Sequence, residues 1–285
     1  MKTLSRTSKT LCMVIALLCV YTTNATIPHA FAWPVPTPDK VLYNLGKASS
    51  QSLPKRMNIL VWNLHKGANE TFASDFNELS YQKDILVNQE MQLDLHMGAI
   101  FASLPLMQYS TATSFYLGKD LLRTGVSTAS TVMPSKIGFV RTTTLEPVIN
   151  SPKVTLITQY PIRLSTKQLT VVNIHGINFV DGPSFRKEIN NIYEAIKEMP
   201  SPLIFTGDFN SWNDDRNAIL KEMADKLHLK EAHFFPDNRM TFNKHPLDHF
   251  YYTEDIKIIE AKVEGFYQGS DHKPLELVIE YSPML

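Results

Sequence analysis

Leu203-Ile204-Phe205-Thr206-Gly207-Asp208-Phe209-Asn210 is an apolar, β-prone run that stops on a glycine, an aspartate and an asparagine. Four such residues read as a buried strand, because β-branched and aromatic side chains fit a pleated sheet. The residues that follow are turn or cap chemistry by themselves. Their layout repeats, however. Val61-Trp62-Asn63-Leu64-His65, Leu86-Val87-Asn88-Gln89-Glu90 and Val171-Val172-Asn173-Ile174-His175 end the same way, and Pro246-Leu247-Asp248-His249-Phe250 and Gly269-Ser270-Asp271-His272 follow later. Polar groups beyond strand C-termini converge on one rim of a sheet, where α/β proteins place their sites.

Further short runs predict strands at Asn58–Trp62, Ile85–Gln89, Val126–Val132, Val154–Gln159, Leu169–Ile174, Leu203–Thr206, His249–Tyr252, Lys257–Val263 and Leu275–Tyr281. Helical spacing is clearest over Ser184–Met199, where Phe185, Ile189, Ile192, Ile196 and Met199 recur every three or four residues and Pro200 ends the run. A second helix is expected over Asp214–Leu227, with shorter ones near Phe72–Gln82 and Asp94–Ser103. There is no internal repeat and no heptad. Residues 57–285 therefore read as one α/β domain, within the size single α/β domains reach.

The chain has 285 residues, 28 Lys+Arg against 28 Asp+Glu, two Cys and 44% hydrophobic residues. That composition excludes a disordered chain, a disulfide-dense scaffold and a four-cysteine zinc site. Residues 1–10 carry Lys2, Arg6 and Lys9 without an acid, and Leu11–Tyr21 is a short hydrophobic run. Residues 1–32 thus read as a secretory signal peptide, cut after Ala25 or after Ala32. Eleven residues fall short of the roughly 20 that span a bilayer, so no stable membrane anchor is expected. Removing those three bases leaves 25 bases against 28 acids, a net charge of −3. Cys12 and Cys19 leave as well, which excludes a thiol nucleophile. Residues 33–56 begin Pro-rich and read as an extended leader.

Taken together, Trp62-Asn63, Gln89-Glu90, Asn173-x-His175, Gly207-Asp208-Phe209-Asn210, Leu247-Asp248 and Ser270-Asp271-His272 occur in the order of the endonuclease/exonuclease/phosphatase superfamily. The resemblance covers residues 57–281, and the stretches VVNIHGINF, GDFNSW and SDHKPLELVIEYSP look closest to its bacterial YafD-like branch. Deoxyribonuclease I, apurinic endonucleases, neutral sphingomyelinases and inositol-polyphosphate 5-phosphatases are members. The resemblance implies a four-layer α/β sandwich, two mainly antiparallel sheets flanked by helices. It also implies hydrolysis of a phosphodiester by an activated water with Mg²⁺ or Mn²⁺, ions suited to carboxylate and amide oxygens. Glu90, Asn63 and Asp271 would hold the metal. Asp208 would orient or deprotonate the water, with Asn210 on the nucleophile or a phosphate oxygen. His272, held by Asp248, and His175 would donate to the phosphate. One departure stands out: His65 occupies a position where apurinic-type relatives have a second acid or amide. His65 and Lys66 read as substrate-facing cations, His65 equally as a solvent-exposed loop residue. Asn173 would fix the surroundings of His175 or contact substrate, and Arg186 would reach phosphate or merely be solvated.

Other motifs fail. Leu45-Gly46-Lys47-Ala48-Ser49 lacks the first glycine of a phosphate loop, and no G-x-S-x-G exists for a serine hydrolase. His245 and His249 are separated by Pro246 and a strand, which argues against a zinc pair. Trp212 reads as packing. Phe101, Tyr109, Phe115, Tyr116, Leu117, Leu121 and Leu122 read as core rather than as a lipid-contacting loop. A net charge of −3 argues against non-specific, high-affinity duplex binding, although local field matters more than net charge for catalysis. The expectation is an exported monomer, periplasmic or extracellular, with nucleic acid ahead of phospholipid or inositol phosphate as substrate. A catalytically silent scaffold is the alternative.

Overall fold

A computed structural model describes residues 33–282 apart from Pro105 and Val148. The expected signal peptide lies outside the described residues. Fifteen strands run β1 Leu42–Gly46, β2 Arg56–Asn63, β3 Ile85–Leu93, β4 Gln108–Leu117, β5 Leu122–Ser130, β6 Lys136–Arg141, β7 Val154–Pro161 and β8 Gln168–His175. They continue as β9 Leu203–Asp208, β10 Lys230–Glu231, β11 Thr241–Phe242, β12 His245–Pro246, β13 Asp248–Tyr252, β14 Ile256–Val263 and β15 Leu275–Tyr281. The α-helices are α1 Phe72–Ser80, α2 Leu95–Ala102, α3 Gly182–Ile196 and α4 Asp214–Lys226.

One sheet has the order β1-β4-β5-β3-β2-β15-β14 and the other β10-β13-β9-β8-β7-β6. Only the β2/β3 and β8/β9 neighbours are parallel within these sheets. Each is a strand–helix–strand crossover, with α1 between β2 and β3 and α3 between β8 and β9. These central strands are buried on both faces, so they read as continuous apolar runs. Ile59, Val61, Ile85, Val87, Leu275 and Leu277 of the first sheet share a core with Val171, Ile204 and Phe250 of the second. Leu60, Trp62 and Leu86 turn outward onto α1 and α2 through Phe72, Phe76, Met97 and Phe101. Val172, Ile174 and Phe205 turn outward onto α3 and α4 through Phe185, Ile189, Ile192 and Ile219. Helix, sheet, sheet, helix is the four-layer α/β sandwich expected.

Polar side chains set the helix starts. Asp94 accepts from the Met97 N–H, Asp181 from Ser184 and Asn213 from Arg216, at 2.8–2.9 Å. The expected helices begin within two residues of those observed.

Two readings are corrected here. Residues 33–56 are not a separate leader. β1 pairs antiparallel with β4, Leu53 is fully buried in the inter-sheet core, and Val41 packs with Ala112 and Val126. As an edge strand β1 leaves three of its five residues exposed, so it has no apolar alternation to read. The polar interruptions also do not all end strands. Asp248 begins β13, and Asp271-His272 precede β15. Those strands run antiparallel to β9 and β2, which carries their starts to the same rim.

Candidate active site

The register lines up the ends. Asn63 pairs with Gln89, His175 with Asp208, and Asp248 with Asp208. The two parallel crossovers therefore deliver Asn63, Glu90, His175 and Asp208 to one rim, and two antiparallel strands add Asp248 and His272. Glu90 reaches it through a β-bulge: the pairing of β3 with β5 shifts between Asn88 and Met91, and Glu90 has φ 50°. Left-handed backbone recurs at His65, Lys66, Gly67 and Asn210. Such conformations persist only where surrounding structure imposes them, and they cluster at functional sites. Gly207 has φ 137°, and a Cβ there would lie 2.1 Å from the Ile174 carbonyl oxygen. No other residue fits between β8 and the Asp208 turn.

His272 is the best-held group. Its Nδ1 lies 2.8 Å from Asp248 Oδ2 and its Nε2 3.8 Å from Asp208 Oδ2. Trp62 Nε1–H donates to its carbonyl at 3.0 Å. Burial disfavours the imidazolium, but Asp248 and Asp208 outweigh it and push His272 up to about 10. Burial, reinforced by the Asp248 charge, pushes Asp208 up to about 7 against the pull of His272. Asp208 also accepts from Asn63 Nδ2 at 3.0 Å and from the Asn210 N–H at 2.9 Å. The ligand atoms of Asp208, Asp248 and His272 lie within 4.8 Å of one another. With Asp248 engaged on the imidazole, this trio is built to hold a proton.

Glu90 shows the opposite balance. Burial would raise it, yet His175, Lys66 and Lys153 hold it well below the usual carboxylate range. The Lys66 Nζ bonds to its Oε2, and Asn63 Nδ2 lies 3.5 Å from its Oε1. His65 lies 3.7 Å from Asp271 Oδ1, and Asp271 is half exposed. Ser270 donates to the Asn63 carbonyl at 2.6 Å, tying the Asp271 loop to β2. The donor set of Glu90, Asp271 and Asn63 is all oxygen, and a cation already stands against Glu90. Such a site suits a hard divalent ion.

His175 stands between the two halves of the site. Its Nε2 is 3.7 Å from Asp208, 3.9 Å from Glu90 and 3.4 Å from Lys153 Nζ. Burial first, then Lys153, pushes its pKa well down. Asn173 is no substrate contact. Fully buried, it donates to the Asn88 and Ser127 carbonyls and accepts from Gln89 at 2.8 Å, locking one sheet to the other. Arg186 is excluded too, since it pairs with Glu222 of α4 at 2.5 Å on the outer helical layer. Trp212 packs edge-on to Phe242 and donates to Asn178. His249 bridges Ser211 and Glu231 at 2.7 Å each and faces no zinc partner.

Sequence reasoning missed the frame behind His175. Glu188 accepts from the Ile177 N–H and Glu146 from the Asn178 N–H, each at 2.9 Å. Buried Arg216 donates to the Ile177, Val180 and Asn210 carbonyls. Glu188 carried a signal, because it lies on the apolar face of α3 between Phe185 and Ile189. Lys153 and Glu146 carried none, being near the start of β7 rather than at a strand's end.

A UPF0294 protein of Vibrio cholerae is 32% identical over 227 residues, covering 78% of this chain and 77% of that one. An endonuclease/exonuclease/phosphatase family protein from Leptotrichia buccalis superposes with TM-score 0.61 at 16% identity, over 79% of this chain and 100% of that one. The catalytic domain of human Nocturnin with bound sulfate gives TM-score 0.61 at 16% identity, over 90% and 100%. These two structures share the fold. The sequence model of the Endonuclease/Exonuclease/phosphatase family matches residues 60–272, so this chain belongs to that family, a membership that implies a metal-dependent phosphoesterase.

Proposed function

We propose that the protein is an exported phosphodiesterase dependent on Mg²⁺ or Mn²⁺, acting as a monomer in the periplasm or outside the cell, with nucleic acid the favoured substrate class. The observation that carries this reading is the buried Asp248–His272 pair 3.8 Å from Asp208, on the rim shared with Glu90 and Asn63. A phosphodiester is anionic and resists nucleophiles, so its hydrolysis needs charge neutralisation, an activated water and a stabilised leaving oxygen. Glu90, Asn63 and Asp271 would hold the divalent ion, which when bound supplies charge to the phosphoryl group and the departing oxygen. Asp208, with its raised pKa, takes a proton from the attacking water at near-neutral pH. Asn210 orients that water, its amide nitrogen anchored on the Gly176 carbonyl at 3.0 Å. His272, charged through Asp248, donates to a phosphate oxygen and offsets charge that develops in the transition state. Lys66 and His65, at the open side, meet the incoming anion. The N-terminal basic and apolar run supports export, and among the described residues no helix is long and apolar enough to cross a membrane.

The test is turnover of plasmid DNA, RNA, sphingomyelin and bis-p-nitrophenyl phosphate with Mg²⁺ or Mn²⁺, then with chelator. Metal-dependent hydrolysis that Glu90→Ala and His272→Ala abolish is the expected result. No metal-dependent turnover on any of the four leaves the silent-scaffold reading standing.

A further inference from the structure

Lys153 is buried with only a tenth of its side chain exposed, at the junction of β6, β7 and β8. A buried ammonium is unfavourable unless it is paired, and partners left over point to a use for the charge. Its Nζ has Glu146 Oε2 at 3.1 Å and His175 Nε2 at 3.4 Å. Three N–H groups thus meet one carboxylate and one imidazole. Both ends of the residue are held. The Lys153 N–H donates to Thr142 Oγ1 at 2.8 Å and its carbonyl accepts from the Thr142 N–H at 3.0 Å. Glu146 is fixed in turn by the Asn178 N–H and by a bridge to Ser151. The ammonium is therefore preorganised, and it lies beside a histidine whose Nε2 is within 4 Å of Asp208 and Glu90.

Lys153 and Arg216 are the bases of the buried cluster, and Glu146 and Glu188 its acids. Lys153 also acts on Glu90, and Arg216 on Asp208, so both charges reach the rim that carries the site.

We propose that Lys153 is a phosphate-binding residue of this site, held in place by Glu146 and supplying positive charge on its β7–β8 side. The inference deepens the phosphoesterase reading and rests on it. The phosphate would be gripped from three sides, by Lys153, by His272 and by the ion at Glu90. Geometry explains why the sequence hides this residue. β7 runs antiparallel to β8, with Leu156 opposite Asn173, so the start of β7 lies beside the end of β8 where His175 stands.

The experiment measures inorganic phosphate binding by calorimetry in the presence of Mg²⁺, and bis-p-nitrophenyl phosphate turnover, for the native protein and Lys153 variants. Lys153→Met is expected to weaken phosphate binding at least tenfold and to lower kcat/KM by about a hundredfold. Lys153→Arg, which keeps the charge, should stay within about fivefold on both. Because Lys153→Met strands Glu146, the double variant Lys153→Met/Glu146→Gln removes both charges and should lose phosphate equally while melting as a folded protein. Mn²⁺ binding measured separately should stay within about twofold, which a general collapse of the site would not allow. Phosphate affinity within twofold of native in either folded Met variant overturns the proposal. A native protein that neither binds phosphate nor turns over the diester overturns the functional reading beneath it, so the two failures are distinct.

Discussion

At the scale of single residues, the site separates two kinds of acid by their surroundings. Glu90 is held ionised by its basic neighbours, whereas Asp208 is raised by burial and by Asp248. Asp208 must lose its proton to act on water, so the rate rises with pH through about 7; His272 must keep its proton, so the rate falls again through about 10. Asp248→Asn removes the foremost charge sustaining His272. We expect kcat to fall about 10²–10³-fold with KM little changed, and the alkaline limb to move to lower pH. A pH–rate profile with an unmoved alkaline limb would contradict the assignment. Lys66 offers a second check at this scale. Its ammonium stands against the carboxylate that the ion is expected to use, and the pair is partly exposed. Lys66→Met should tighten Mn²⁺ binding about two- to fivefold, the range of a partly exposed ion pair, as read by calorimetry. Weaker binding in that variant would place Lys66 among the groups that help the ion.

At the scale of elements, the long-range charge network behind α3 predicts a pH effect on stability apart from catalysis. Glu188 is raised from 4.5 to about 8 in the fold. Between those values the folded protein holds a proton that the unfolded chain has lost, so this group makes stability fall as pH rises from about 5 to 8. Glu188→Gln keeps an acceptor for the Ile177 N–H and cannot ionise. Urea denaturation should show the native protein losing on the order of 1–3 kcal/mol over that window relative to the variant. Parallel curves would show that Glu188 is ionised in the fold. The same elements mark how far the sequence could be read. The central strands were legible as continuous apolar runs, and the long helix α3 by the spacing of its apolar residues. β1, β4 and β6 were not, since an edge strand or a Ser/Thr-rich strand such as Gln108–Leu117 shows no such period. Asn63, Glu90, His175 and Asp208 stood out because a polar residue at the end of an apolar run breaks a pattern. Lys153 and Glu146 sit in an irregular turn, where a polar residue breaks nothing. Arg186 and Asn173 invited a substrate reading for the converse reason: a residue can follow the right motif and yet face the outer layer or the seam between the sheets.

At the scale of the whole molecule, balanced charge conceals an uneven distribution. With residues 1–32 removed the chain is net −3, yet the cations of the site, Lys66, Lys153 and His272, gather where an anion must enter. Elsewhere several lysines and arginines are paired with acids, as in Arg186–Glu222, Lys221–Asp225 and Lys230–Glu254. A groove that gripped duplex DNA along its length would need a continuous row of unpaired bases, each releasing a counterion on binding. The site's own cations offer two or three such contacts, all at the scissile phosphate. If nucleic acid is the substrate, log(kcat/KM) against log[salt] should therefore slope only about −2 to −3, near −0.9 per phosphate neutralised. Kinetics on a duplex oligonucleotide between about 50 and 200 mM salt at fixed Mg²⁺ measure that slope directly. A slope steeper than about −5 would require a basic surface beyond these three residues and would move the substrate contacts away from the rim. A shallow slope on DNA, together with a rate on bis-p-nitrophenyl phosphate close to that on DNA, would locate recognition at the phosphate itself, because an acidic protein with a cationic site selects the ester by its charge and not by its polymer.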